Sequence, residues 1–453
     1  MAGRLLLRSE PGWYRASVAG LLAGLALVVA WNAYAVDPRR GYDGAAHIEY
    51  ADVVANEWRL PGKEVRGYYN PPLFYVLAGI SDRFGEDVLG VAPAEKLTQG
   101  WNGLLLLASA ALFLSAARLV FPGRRALHVA ALGFFCLVPV TTRTAAMFHP
   151  EPLDLFLSLA GLTLAARMLI RRSFGWRPAV ALGAVLGLAQ LSRTFGIYAS
   201  ASAGTVFALA ALWRYAPRRA LLRALAVTAL TAALVTAPWY VRQAIRYTNP
   251  IFDQPTVDKP LWERRPLSFY VDPGLPELFT QPVRQSYLNR LAPTAYTELW
   301  GDYFGIWTWN ATVQGTPSRG QLWDLRAQSV VGLLPTLLAL LGMLALLRRS
   351  LLRRGVGREP APALFAAQAV FGLLGFLYFA IGYPTPDGDV IKTTFMLAAA
   401  PGWALAFGLG FEWVLRRIGE RPLARFYLVA VLLAAALLDL RMIVYGSPLG
   451  GLF

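Results

Sequence analysis

Apolar runs of near membrane-spanning length alternate with short polar segments along the whole chain. A window of about 20 residues, the length of helix that crosses a bilayer, predicts about eleven such helices. They are predicted at 16–36, 97–117, 126–145, 152–170, 178–196, 198–213, 224–242, 329–347, 361–382, 393–415 and 425–445. The pattern therefore predicts an all-α polytopic membrane protein that forms a single transmembrane domain over 1–453.

Arginine clusters separate alternate apolar runs and indicate how the chain is oriented. Besides the N-terminal arginines, they are "RLVFPGRR" (118–125), "RRSFGWR" (171–177), "RYAPRRALLR" (214–223), "RRSLLRRGVGR" (348–358) and "RRIGERPLAR" (416–425). Lys and Arg are enriched in short cytoplasmic loops, so these clusters are predicted inside. The N-terminus is then inside and the C-terminus outside, since an odd miscount of helices would scatter the clusters onto both faces.

Two long segments are predicted on the external face. Residues 37–96 contain "NPPLFYVLAGI" (70–80), an apolar run too short to span, which begins with helix-breaking prolines. We expect interfacial helices in this first loop. Residues 243–328 are rich in proline and aromatic residues and have no spanning run, which predicts a small external subdomain or lid. Its aromatic run "LWGDYFGIWTWN" (299–310) suits either an interfacial belt or a platform for a sugar or polyprenyl chain.

Composition agrees with a membrane protein and argues against a nucleic-acid partner. The chain is 56% hydrophobic with a formal net charge of +16, but the arginines lie between apolar runs and form no single basic face. The first apolar run ends in "AYA" (33–35) and also resembles a signal peptide; we predict an uncleaved helix. The single cysteine, Cys136, lies in an apolar run and can form no internal disulfide.

The stretch "GYDGAAHIEYA" (41–51) brings polar chemistry to the start of the first external loop. Asp43 and His47 are spaced i, i+4, so a helix starting near Asp43 places them on one face together with Tyr50. Asp43 also suits a helix N-cap, and His47 an interfacial polar residue. The stretch alone leaves both interpretations open.

Similar chemistry recurs in two further external turns. "FHPEP" (148–152) places His149 and Glu151 at the start of the fourth helix, where the helix dipole also favours an acid as a simple capping residue. A third turn at 387–392 carries acids beside a lysine. Capping explains each acid singly, but it does not explain why such turns recur on one face.

Cations stand near the same turns. The chain has four lysines against 39 arginines, and the predicted topology places all four outside. Lys392 lies at the external mouth of the tenth helix, where it can bind a lipid phosphate or extend to the headgroups. Arg193, at the outer end of the fifth helix, admits the same two interpretations.

Several weak motifs occur in a fixed order over roughly residues 15–410, and their order is more informative than any one of them. They are "YDGAAHIEYADVVANEWRLP", "NPPLFY", "FHPEPLDLFLSLAGL", "LGLAQLSRTFG", "VRQAIRYTNPIF", "WGDYFGIW" and "IKTTFMLAAAPGWAL". In this order they resemble the GT-C polytopic glycosyltransferases, in particular the branch with protein O-mannosyltransferases, lipid A aminoarabinose transferase and lipopolysaccharide galacturonosyltransferases. Arg193 replaces the usual lysine, while Gln243 and Thr248 replace Asn and Gly at the exit of the seventh helix.

The resemblance implies an inverting glycosyltransferase of a bacterial-type inner or cell membrane, with its active site on the external or periplasmic face. It would move a sugar from a polyprenyl-phosphate donor to a hydroxyl or phosphate of a glycan, lipid or protein acceptor, surrounded by membrane lipids. Asp43 would be the general base, and we expect partial desolvation to raise its pKa towards the working pH. Lys392 and Arg193, with Arg143 as a third candidate, would neutralise the leaving phosphate.

The resemblance also implies roles for the remaining polar residues. His149 and Glu151 would position the acceptor or the sugar hydroxyls, or would ligate a divalent cation, Mg or Mn, which some members use. The single Asp43, where other members carry two adjacent acids, favours independence from metal. His47, with Tyr50 on its face, would either help to hold the acceptor or face the headgroups.

Three other classes of protein stay open. An O-antigen-type polymerase or ligase would use a preassembled glycan donor. A transporter or flippase of lipid-linked glycans would place ionisable groups near the bilayer midplane on broken helices, whereas here the acids gather at one face. A structural or accessory subunit would not need Asp43 and Lys392.

Overall fold

The computed structural model describes residues 10–247, 257–309, 315–352, 360–384 and 391–446. The regular secondary structure of these residues is helical. In chain order they are α1 Gly12–Ala35, α2 Gly44–Glu57, α3 Leu73–Asp87, α4 Glu95–Val120, α5 Arg125–Leu137, α6 Pro139–Ala146, α7 Glu151–Ile170, α8 Trp176–Ser192, α9 Ile197–Leu212, α10 Arg218–Arg246, α11 Leu267–Val271, α12 Glu277–Thr280, α13 Leu291–Trp300, α14 Arg319–Val331, α15 Leu333–Leu347, α16 Ala361–Gly382, α17 Ala400–Ile418 and α18 Pro422–Ile443. Short 3₁₀ turns at Thr194–Gly196 and Thr393–Ala399 lead into α9 and α17.

The helices confirm the predicted class of an all-α polytopic membrane protein. Within the described ranges, nine helical segments are long and apolar enough to cross a membrane, and α5 with α6 makes ten if this bent pair is one span. A further helix, α8, has 17 residues at another predicted position. Each of the predicted apolar runs thus carries a helix, while the number that cross the membrane and their orientation remain predictions.

A break at Val138 divides the helix that the hydropathy pattern predicts over 126–145. The two halves, α5 and α6, are bent by 49°. Val138 is extended and Pro139 begins α6, because proline has no N–H for the preceding turn and pushes the residue before it out of helical geometry. The bend turns α6 towards the long loop.

Close packing of small residues joins the helices of the apolar core. At the contact of α15 with α17, a Cβ built on Gly342 would lie 1.6 Å from the carbonyl oxygen of Ala406, and one on Gly410 would lie 2.0 Å from that of Leu338. Only glycine allows two backbones to come this close, which is how helices in lipid gain packing contacts.

Hydrogen bonds between distant segments bring one set of helix ends together. Nζ of Lys96, at the start of α4, donates to the carbonyls of Ala33 and Tyr34 at the end of α1, at 3.0 and 2.9 Å. Nδ2 of Asn32 donates to the carbonyl of Ile443 at the end of α18, at 2.7 Å. We call this end of the bundle the site face, because α2, α3 and the long loop lie on it.

The first loop of the site face is a pair of packed helices. The prolines before α3 break the chain as predicted, and α3 then packs on α2 at Gly79, where an added Cβ would lie 2.8 Å from the carbonyl oxygen of Ala51. The rings of Tyr50 and Tyr75 stack with centroids 3.8 Å apart. Whether this pair lies in the membrane interface remains a prediction.

The long loop is shorter than the predicted segment 243–328, because the helices on both sides of it extend further. α10 continues to Arg246, and α14 begins at Arg319 after a capping box in which Ser318 and Gln321 exchange hydrogen bonds. The polar first turns of α14 escape a hydropathy window, although the Ser-x-x-Gln spacing signals a helix start. Between these helices, the described part of the loop contains α11, α12 and α13.

Candidate active site

Asp43 stands at the N-cap position of α2 but does not cap the helix. Its backbone is left-handed with φ 53°, and its side chain makes no capping hydrogen bond. Instead, Oδ2 accepts a hydrogen bond from Nζ of Lys392 at 2.9 Å, and Oδ1 lies 3.2 Å from Nη2 of Arg66. Capping therefore accounts for the position of Asp43 and not for its side chain.

The surroundings of Asp43 correct the expected direction of its pKa. Burial acts to raise the pKa of this carboxyl, but the charge and hydrogen bond of Lys392, with His47 and Arg66 nearby, hold it well below its usual range. The predicted rise in the pKa followed from desolvation alone. It did not include the charge of Lys392, which lies 349 residues away in sequence. Asp43 is thus ionised and, while paired, a weak base.

His47 is a buried, neutral imidazole on the same helix. Its Nδ1 shares a hydrogen bond of 2.7 Å with the hydroxyl of Tyr75, and its ring meets that of His149 edge-on at 4.8 Å between centroids. Burial lowers the pKa of His47 well below its usual value, and the nearby His149 and Arg193 lower it further. The ring is therefore held in one orientation without a charge of its own.

Glu151 lies at the centre of a buried ion-pair network. Its carboxylate contacts Nδ1 of His149 and lies 3.0 Å from Nε of Arg193. Nη1 of Arg193 in turn donates to Oδ1 of Asn70 at 2.5 Å, and the carbonyl of Asn70 accepts the hydroxyl of Tyr50 at 3.3 Å. A buried charge network of this kind is stable only when its members are paired, and it fixes their orientation.

These contacts bring six of the predicted residues into one cluster. Nζ of Lys392 lies 5.7 Å from the ring centroid of Tyr42, whose ring packs edge-on against His149 at 6.2 Å. We call this set the Asp43 cluster; its members are Asp43, His47, His149, Glu151, Arg193 and Lys392. Tyr50 is not a member but contacts the cluster through Asn70. Its side chain is fully buried, and its hydroxyl donates a hydrogen bond to the carbonyl of Asn70.

The third acidic turn is described only in part. Lys392 is described, whereas Asp387 and Asp389 lie outside the described residues. The same holds for Thr248 at the exit of the seventh predicted helix.

Sequence reasoning missed four residues that contact the cluster. Asn70 and Tyr75 open and close the motif "NPPLFY", which gave the resemblance but no named residue. Tyr42 precedes Asp43 directly. The contact of Arg66 with Asp43 could not be predicted, because the sequence does not distinguish this arginine from the many others at the surface.

Arg143 has a different place from the one that the resemblance implies. Its side chain is buried, Nη2 donates to the carbonyl of Glu298 at 2.7 Å, and Nη1 donates to that of Gly301. Nη1 also lies 3.9 Å from Oδ1 of Asp302. The guanidinium is therefore engaged in fastening the long loop to α6, and we no longer assign it to the leaving phosphate.

We expect Arg143→Met to destabilise the protein by about 2–4 kcal/mol, because it leaves Asp302 and two carbonyls buried without their cation. Thermal unfolding of the purified protein, followed by tryptophan fluorescence, measures this. Arg246→Met, which removes an exposed arginine at the end of α10, is the matched control and should change little. Equal midpoints for both variants would contradict the anchoring role.

The described residues do not fit a metal site as they stand. No three His, Cys, Asp or Glu side chains among them come close enough together to hold one ion. His149 and Glu151 supply two candidate ligands, but the guanidinium of Arg193 occupies the same carboxylate. We therefore assign no step to Mg or Mn, and metal dependence remains a prediction.

The arrangement combines two chemical capacities at one end of an apolar bundle. A partly exposed carboxylate can accept a proton, and the ammonium beside it can bind an anion, above a buried network that holds both in place. Fold and cluster together define a polytopic helical membrane protein with a charged candidate active site at the site face.

Comparison with known proteins finds similarity at the level of structure only. No protein-family model and no curated protein matches the sequence. The crystal structure of apo ArnT from Cupriavidus metallidurans aligns with a TM-score of 0.40 and 18% identity, over 87% of this chain and 77% of that one. The same protein bound to undecaprenyl phosphate gives 0.39 and 17%, over 88% and 78%.

A second similar structure is the archaeal oligosaccharyltransferase AglB from Archaeoglobus fulgidus, in complex with an inhibitory peptide and a dolichol-phosphate. It aligns with a TM-score of 0.45 and 13% identity over 96% of this chain. This chain covers 56% of the length of AglB.

Proposed function

We propose that this protein is an inverting glycosyltransferase that moves a sugar from a polyprenyl-phosphate donor to an acceptor hydroxyl or phosphate on the external face of the membrane. The ion pair of Asp43 with Lys392, at 2.9 Å beside the buried network of Glu151, is the observation that carries the proposal. This transfer needs a base for the acceptor and a cation for the leaving phosphate, and the two groups stand side by side.

For a hydroxyl acceptor, the proposed step is a single displacement. The acceptor oxygen attacks the anomeric carbon from the side opposite the phosphate, and its proton passes to Asp43. The bond from the anomeric carbon to the phosphate oxygen breaks, and that oxygen keeps the electron pair. Lys392 and Arg66 neutralise the negative charge that grows on the leaving polyprenyl phosphate.

The pairing of Asp43 with Lys392 supports a defined order of events. A donor phosphate competes with Asp43 for the ammonium, because both are anions near one cation. When the ammonium turns to the phosphate, the strongest influence that lowers the pKa of Asp43 is weakened, and burial then raises that pKa. Donor binding thereby makes Asp43 a stronger base at the moment when one is needed.

The buried part of the cluster has a supporting role in this proposal. Glu151 and Arg193 neutralise each other, and their buried ion pair fixes the packing beside Asp43. The fixed, neutral imidazole of His47 offers a polar contact to the acceptor or to a sugar hydroxyl. Tyr50 acts as a positioning residue, since it holds Asn70 and stacks on Tyr75.

The test is a transfer assay with purified protein and a panel of polyprenyl-phosphate hexoses, pentoses and uronic acids. We expect equal amounts of glycosylated acceptor and free polyprenyl phosphate, with the anomeric configuration inverted as read by NMR. Retained configuration or use of nucleotide sugars would contradict the proposal. Movement of the intact lipid-linked sugar across a vesicle membrane without bond cleavage would instead show a transporter.

A further inference from the structure

A second, acidic cavity lies between α2, α3 and the start of α4. Its volume is about 360 Å³, and none of its lining residues belongs to the Asp43 cluster. Five carboxylates line it, and they are those of Asp52, Asp82, Glu86, Asp87 and Glu95. Arg83 is the one cation among its described lining residues, and it lies 3.3 Å from Asp87. This negative cavity stands out in a chain with a net charge of +16.

Asp82 has one carboxylate oxygen that is paired and one that is not. The residue is only 7% exposed, and Oδ1 accepts a hydrogen bond of 2.6 Å from the hydroxyl of Thr98. Oδ2 is buried without a partner. A buried carboxylate oxygen left without a partner is costly in a native protein, and this one belongs to a side chain that lines the cavity.

The spread of the carboxylates identifies the kind of ligand. They come from three helices around a volume far larger than one ion, and no three acidic side chains of the described chain are close enough to share a metal. Ala55, Val91 and Pro93 supply an apolar wall to the same cavity. Separate acids beside an apolar wall match ammonium groups carried on a short methylene chain.

We infer that this cavity binds primary ammonium groups, either of a soluble polyamine or of the ethanolamine headgroup of a membrane lipid. Asp82 is the central acceptor, and Asp52 and Glu95 face it from the neighbouring helices. A volume of this size has room for a chain of a few methylene groups, since a water molecule takes about 30 Å³ of liquid.

The inferred binding should strengthen as pH rises. Burial raises the pKa of Asp82 to about 7, against the hydrogen bond of Thr98, and burial also raises that of Asp52. Both carboxyls must ionise before they can bind an ammonium. The charged groups that face this pair from the surrounding segments are Arg39, Glu49, Arg83, Glu86, Asp87 and Glu95.

Calorimetric titration of the full-length protein with putrescine tests the inference. We expect saturable binding that is weaker at pH 6 than at pH 8, and no binding of the neutral 1,4-butanediol. Asp82→Asn keeps the shape and the hydrogen bond from Thr98, and it should weaken the affinity about tenfold or more. Asp52→Asn should act in the same direction, while Glu263→Gln, an exposed acid of the long loop, should not.

The inference would be overturned by no putrescine binding at millimolar concentration, by equal binding of the diol, or by unchanged affinity in Asp82→Asn. Displacement of putrescine by micromolar Ca²⁺ would show a metal site and overturn it as well. None of these measurements requires sugar transfer, so they are independent of the proposed function.

Lipid nanodiscs distinguish the two sources of the ammonium group. If the ligand is a headgroup, phosphatidylethanolamine discs should weaken putrescine binding relative to phosphatidylcholine discs, whose bulky quaternary ammonium donates no hydrogen bond. Equal affinity in both kinds of disc assigns the cavity to a soluble polyamine.

Discussion

Asp43→Asn is expected to lower the rate of sugar transfer by about 10²- to 10⁴-fold, the usual contribution of a general base, without unfolding the protein. Asparagine matches aspartate in size and tolerates the left-handed backbone at this position, where φ is 53°. The substitution therefore removes the proton acceptor and leaves the backbone of α2 in place.

The same variant should bind the donor at least as well as the unmodified protein. Without the carboxylate, the ammonium of Lys392 has lost its main competitor for the phosphate, so the KM for the donor should stay unchanged or fall. Initial rates with radiolabelled donor, together with binding of polyprenyl phosphate, separate the two effects. The control is Asp37→Asn, an exposed acid of the same segment, which should keep full activity.

Undiminished turnover in Asp43→Asn would contradict the role of Asp43 as the base. Joint loss of turnover and donor binding would mean that Asp43 shapes the phosphate site, and it would contradict the proposed competition for Lys392.

Lys392→Met is expected to lower kcat by about 10²- to 10³-fold and to change how activity depends on pH. The first effect follows from the loss of a cation at the leaving phosphate. The second follows from Asp43, whose pKa Lys392 holds down against burial. Without this lysine the pKa of Asp43 rises, so the acid limb of kcat/KM, which reports the base of the free enzyme, moves to higher pH.

The measurement is a profile of kcat/KM between about pH 5 and pH 8. The unmodified protein should show no acid limb from Asp43 in this range, because that carboxyl stays ionised well below its ordinary value near 4. The residual activity of Lys392→Met should fall towards the acid end. Lys392→Arg, which keeps the charge, should restore a flat profile.

Lys259→Met serves as the matched control, since it removes an exposed lysine of the long loop and should leave rate and profile unchanged. A large loss of activity in Lys392→Met with an unmoved profile would contradict the pairing that links Lys392 to the basicity of Asp43.

Hydropathy located the helices well because each apolar run is long and bounded by arginines or prolines. The hydropathy pattern did not predict the bend at Pro139 or the start of α14 at Arg319. Both depend on backbone hydrogen bonds, and side-chain hydropathy carries no information about these bonds. Pro139 lacks an N–H, and the capping box at Ser318 is a local pattern of two polar residues.

The candidate site was partly predictable, because the unusual residues of the turns that the sequence predicts outside are the ones that the fold brings together. Their partners were not. Arg143 and Arg193 look alike in sequence, but one binds carbonyls of the long loop and the other binds Glu151. The direction of the pKa of Asp43 depends on Lys392, and local sequence carries no information about so distant a neighbour.

The acidic cavity escaped sequence reasoning for a related reason. Asp52, Asp82 and Glu95 each lie in an ordinary polar stretch, where an acid is what a solvated helix surface is expected to carry. Only the packing of three separate helices places them around one volume and buries Asp82.

The contacts that close the site face also set when it can form during synthesis. Asp43 forms its ion pair with a lysine that lies 349 residues later in the chain. Asn32 donates its hydrogen bond to the carbonyl of Ile443, which lies 411 residues later. Until the later helices are made, Asp43 has Arg66 beside it but lacks Lys392, and Asn32 lacks the carbonyl of Ile443. The contacts of the site face can therefore be completed only after the residues up to Ile443 have been synthesised.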